Sequence, residues 1–196
     1  MKYTNGLQIN HSGKGIPYGG VGKLRPDGDA NYGFKNLKTC PEQIADVPEL
    51  QRDPALRELV RTINAPETGL LSVGCVSGPV EDTQGHRMSG YVEFAFNEAE
   101  LIADATNYFQ VFFHFDRWLN EANPHDIHFH WELMGATFLE AGASGFTATV
   151  TVNTGYVESH QAAGAAWQSA LGLFGDFLKT LPPCHGRPLY SPSAKS

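Results

Sequence analysis

His128, His130 and Glu132 place imidazole, imidazole and carboxylate at two-residue spacing in the run HFHWEL. On a strand, alternate side chains share one face and lie about 6.5–7 Å apart in successive steps. Two such donors can converge on one divalent transition-metal ion such as zinc, with a third ligand from a neighbouring strand, for which Glu93 is the obvious residue. A site of that kind can activate water for hydrolysis. His125 and Asp126, just upstream, either extend the cluster or serve as turn residues. The plainer alternative is a solvated polar strand face with no ion bound and no cofactor.

Other chemistry-bearing groups are less complete. PYGGVGKL, starting at Pro17, approaches a phosphate-binding loop, but Pro17 stands where the first glycine belongs and Leu24 where a magnesium-holding hydroxyl belongs. No apolar strand precedes it. His114 and Asp116 suggest an acid/base pair, yet helical spacing puts His114 on a polar stripe with Gln110, Arg117 and Glu121. Tyr108, Phe109, Phe112, Phe113, Phe115 and Trp118 recur as core positions do rather than as a ligand pocket. Cys75 has no evident histidine partner and reads as a small buried hydrophobe.

The elements that must hold these residues show a repeated order. Asp53-Pro54 opens a short amphipathic helix with Leu56, Leu59, Val60 and Ile63 on one side. Residues 70–77 and 87–96 read as strands joined across a polar loop at 78–85, with Met88, Val92, Phe94 and Phe96 on one face. Asn97 and Glu100 form a capping-box pattern before one helix of about six turns, stopped near Asn123-Pro124. Strand, strand and helix then recur. Phe129, Trp131 and Leu133 share a face in the first strand, and Phe146, Ala148, Val150 and Val152 in the second. A stripe from Ala163 to Leu181 marks the closing helix, before Pro182-Pro183. Gly164, Gly172 and Gly175 within it suggest close approach to a neighbour.

Hairpin strands are antiparallel, and each apolar helical stripe needs cover. The expected architecture is therefore α+β: a two-layer sandwich with a four-stranded antiparallel sheet made of two ββα units and two long helices on one face. A short helix and an irregular N-terminal arm, with a short strand at Gly6–Asn10, complete it. Residues 1–50 form the arm packed on the body, 51–184 the α+β domain, and 185–196 a tail. Alternation then makes the helix-free face polar. It should carry Tyr91, Glu93, His128, His130, Glu132, Thr147, Thr149, Thr151 and Asn153.

Charge is unevenly divided. Residues 1–40 hold six Lys/Arg against two Asp, a net of +4, and residues 41–196 hold eight basic and nineteen acidic groups, a net of −11, which together give −7. An acidic body disfavours nucleic acid, because phosphate neutralisation needs a basic face. No run is long and apolar enough to span a bilayer, and the N-terminus has no secretion-signal stretch, so a cytoplasmic chain without membrane contact is expected. Cys40, Cys75 and Cys184 are too few and too scattered for a disulfide framework. The leading functional expectation is a non-catalytic protein-binding or regulatory, immunity-like module that meets a protein partner, or a second copy of itself, through the polar face. The alternative is a metal-binding protein or metal-dependent hydrolase at His128, His130 and Glu132.

Overall fold

A computed structural model describes residues 3–20, 23–24, 30–31, 33–183 and 185–191. Lys2, Val21, Gly22, Arg25, Asp27, Asp29 and Cys184 lie outside the described residues, as does the tail beyond residue 191. The strands are β1 (Tyr3–Ile16), the short pair β2 (Lys23–Leu24) and β3 (Ala30–Asn31), then β4 (Leu70–Asp82), β5 (Gly85–Phe96), β6 (Ile127–Phe138) and β7 (Ala143–Thr154). The helices are α1 (Pro48–Arg52), α2 (Pro54–Asn64), α3 (Ala99–Ala103), α4 (Ala105–Ala122) and α5 (His160–Leu178).

The α+β class is as expected, but the sheet has five strands and is mixed, in the order β1-β6-β7-β5-β4. The expected four-stranded antiparallel sheet lacks β1, which pairs in parallel with β6. The segment read as an irregular arm thus supplies a 14-residue edge strand, in which the short strand expected at Gly6–Asn10 is the middle part. Its glycines and asparagines weaken the period-two signal, and its partner begins more than a hundred residues later. Neither a turn nor a local spacing announces the pairing.

Both hairpins form. The first is tighter than a polar loop at 78–85, because β4 and β5 run on to a turn at Thr83–Gln84. Gly85 closes that turn at φ +124°, where a side chain is strained. The expected single helix after β5 is split. Asp104 is extended (φ −116°, ψ 114°) and its carboxylate accepts from Thr106 N at 2.9 Å, so it caps α4 afresh. Asn97 does not act in a capping box. Its side-chain amide donates to Tyr190 O and accepts from Tyr190 N, both at 2.9 Å, and so ties the C-terminal segment to the end of β5. Asp53 does cap α2, accepting from Leu56 N at 2.9 Å.

α4 and α5 cover one face of the sheet, with α2 beside α5. Trp131, Phe129 and Leu133 of β6 point into this layer and are fully buried. The Trp131 ring meets Phe94, Phe112 and Phe174 edge-on at centroid distances of 5.9, 5.9 and 5.7 Å. Its Nε1 has no hydrogen-bond partner, so shape alone holds it. Phe115 of α4 and Phe174 of α5 touch at 5.1 Å, which locks the two helices together over β6. Of the three helical glycines, only Gly175 marks a close approach, its missing Cβ 3.6 Å from Leu59 of α2; Gly164 and Gly172 face open space.

The faces of β6 can be tested directly. Trp131→Ala is expected to lower the unfolding free energy by about 3–5 kcal/mol, and His130→Ala by less than about 0.5 kcal/mol, both read by urea unfolding. Equal losses at the two positions would contradict the assignment.

Candidate functional site

Burial of Phe129, Trp131 and Leu133 sends His128, His130 and Glu132 to the helix-free face. There the in-register β1 partners Thr4, Gly6 and Gln8 meet them. Thr4 Oγ1 lies 2.8 Å from His128 Nδ1. Gln8 Nε2 donates to Glu132 Oε2 at 2.6 Å, and Asn10 Nδ2 donates to Glu132 Oε1 at 3.0 Å. His130 is exposed and faces Gly6, whose missing Cβ would stand 3.5 Å from its Nδ1. On the next strands Thr149 and Thr151 are half-buried, and Asn153 accepts from Ser89 Oγ at 2.7 Å and from Arg87 at 3.1 Å. Tyr91 is half-buried in the same layer.

The polar face does not extend over the whole sheet. At the end where β1 finishes, alternation puts the apolar residues Leu71, Ala95, Ala136, Phe138 and Ile16 on the helix-free side, and all are buried. β1 and β4 are opposite edges of the sheet, yet just past β1 Tyr18 Oη donates to Val73 O of β4 at 2.9 Å. The sheet coils over itself at this end. Thr147 and Glu93, expected on the binding face, are therefore enclosed, at 0% and 5% exposure. Lys14 reaches across to form an ion pair with the Glu93 carboxylate.

The structure does not gather the strand donors into one site. Both oxygens of Glu132 are held by amides, His128 is matched to Thr4, Glu93 is held by Lys14, and His125 is exposed. Among the described residues, three donor atoms within 4.8 Å of one another occur in a different place, at Glu81, His86 and His160. Glu81 and His86 are register partners across the β4–β5 turn, a relation readable once that turn is placed. His160 opens α5, and no spacing in the chain connects it to the other two. His114, considered with Asp116, is exposed and rests edge-on against Phe177 at 5.7 Å, whereas Asp116 accepts from Asn5 of β1 at 3.2 Å. They do different jobs.

A groove of about 620 Å³ lies between α2 and α5, floored by Leu59, Trp167 and Leu171. Its central carboxylate, Asp53, is already occupied by Trp167 Nε1 and Ser77 Oγ, each at 2.6 Å, as well as by the α2 cap. Cys75 is pushed up to about 12, first by burial and then by the negative charges of Glu49 and Asp53.

No protein-family model, curated protein or solved structure matches the chain. Its own geometry defines the class: an α+β protein with a mixed five-stranded sheet, helices on one face, and a half-covered polar face on the other. No helix among the described residues is long and apolar enough to cross a membrane.

Two outcomes follow from these environments. Lys14→Ala is expected to cost about 2–4 kcal/mol, at or below the range for breaking buried pairs because Lys14 keeps some solvent contact, while Lys14→Met with Glu93→Gln recovers most of the loss; chemical denaturation of the three proteins reads this, and an unaffected single variant would refute the pairing. At pH 8 a thiol with a pKa near 12 is thiolate in about one molecule in ten thousand. Cys75 should therefore resist iodoacetamide in the folded protein and react in urea, as peptide mapping would record.

Proposed function

We propose that the protein is a non-catalytic recognition module of the regulatory or immunity type, which docks a basic protein surface on the uncovered half of its helix-free sheet face. The supporting observation is the hydrogen-bonded lattice of that face. Thr4 with His128, and Gln8 and Asn10 with Glu132, hold long polar side chains in place across two strands before any partner arrives. Side chains ordered in advance lose less rotamer freedom on docking, so more of the contact energy becomes affinity.

Charge supports the sign of the partner. The body from residue 41 onward carries a net of −11, from eight basic and nineteen acidic groups. Two cations of the N-terminal segment are turned inward: Lys14 to Glu93, and Lys38 to the carbonyls of Ala65 and Thr68, each at 2.6 Å. A negative field of this kind raises encounter rates with a basic protein and disfavours acidic ones.

Thr149 and Thr151 lie in alternation on this face, and Thr149→Arg with Thr151→Arg adds two positive charges there without emptying the core. A partner captured by the wild-type chain, identified and rebuilt from purified components, is expected to be basic, to bind less tightly as salt rises, and to lose about tenfold or more in affinity for the double variant. Equal binding by the variant, a neutral or acidic partner, or capture only of further copies of the same chain would each overturn the reading.

A further inference from the structure

At the tip of the β4–β5 hairpin, alternation turns His86 toward the helix side of the sheet and Arg87, which bonds Asn153, toward the polar face. Glu81 and His86 are opposite one another in its register, so their side chains project from the same face. The chain leaving β7 is fastened to this tip before it enters α5. His86 and Val157 exchange two backbone hydrogen bonds, of 2.9 and 2.8 Å. Tyr156 Oη donates to Asp82 Oδ2 at 2.5 Å, which holds the Asp82 carboxyl below its ordinary range, and Arg87 lies 5.2 Å from the Tyr156 ring centre. Gly85 is required here, since a Cβ would stand 2.6 Å from Val157 O. These contacts deliver His160, the first residue of α5, onto the Glu81–His86 pair.

The resulting geometry is that of a ligand set. His160 Nε2 is 3.4 Å from Glu81 Oε2, and His86 Nδ1 is 3.8 Å from the same oxygen. The two imidazole rings are 4.0 Å apart at 45°. Metal–ligand bonds of about 2.0–2.2 Å in a tetrahedral shell place neighbouring donor atoms about 3.3–3.6 Å apart. Of the three edges, one already has that length, a second is a few tenths longer, and all three donors lie within 4.8 Å of one another. His86 Nδ1 is buried and has no hydrogen-bond partner in the protein, a vacancy that ligation would fill.

We propose that Glu81, His86 and His160 bind one divalent transition-metal ion of the zinc class, His86 through Nδ1 and His160 through Nε2, with solvent completing the shell. Two imidazoles and one carboxylate suit zinc better than calcium or magnesium, which take oxygen ligands. The positive end of α5 opposes a cation at this point, and the Glu81 carboxylate offsets it. The bound ion joins the hairpin tip to the start of α5 and so stabilises the folded chain.

The site shares no residue with the recognition face, so the two proposals fail separately. Full-length chain, purified without a histidine tag and stripped with a chelator, is titrated with zinc chloride by calorimetry and followed by thermal unfolding. One equivalent is expected to bind and raise Tm, with His160→Ala, at an exposed position, weakening binding about tenfold or more. His128→Ala with His130→Ala is expected to leave binding unchanged. Absence of stoichiometric binding, equal binding by His160→Ala, or loss of binding in the His128/His130 variant would each overturn the assignment.

Discussion

Burial of the Trp131 ring is the constraint on which the rest depends. Side chains alternate along a strand, so putting Trp131 beneath α4 and α5 settles the destination of every residue from His128 to Leu133. A shift by one residue would place two imidazoles and a carboxylate among Phe94, Phe112 and Phe174, at a desolvation cost that no partner there could offset. The ring makes no hydrogen bond through Nε1, so its position rests on packing against aromatic edges supplied by β5, α4 and α5. Both the helical layer and the polar face derive from this one orientation.

The helix-free face shows a second physical decision. A sheet of five strands twisted in the usual sense can coil until one end shelters its own inner surface. Here the end of β1 brings Ile16 beside Phe138, Lys14 to Glu93, and Tyr18 to β4. Buried apolar residues and an enclosed ion pair occupy one end of the face, while the hydrogen-bonded polar lattice occupies the other. Coiling thus leaves only half of the helix-free face uncovered. Backbone geometry also organises the hairpin tip, where Val157 pairs with His86 and brings α5 in at a defined position.

Much of the fold was legible along the chain. Period-two patterns located both hairpins, Asp53-Pro54 marked the start of α2, and the alternation in HFHWEL assigned rings to one side and donors to the other. Local rules misled where a competing contact was distant. Asn97 carries the signature of a capping box, yet Tyr190 claims its side chain, and Asp104 breaks the expected helix because its own carboxylate can cap a new one.

By itself the amino-acid sequence determined the α+β class, the periods of both hairpins, and the side of β6 that carries its rings, because these follow from residue spacing over a few turns or pleats. Tertiary structure alone decided that β1 joins the sheet in parallel with β6, that Glu93 and Thr147 are enclosed, and that His160 meets Glu81 and His86. Each of those outcomes brings together groups separated by dozens of residues. No local periodicity encodes such meetings; they arise from the registers, twist and coil of the assembled sheet.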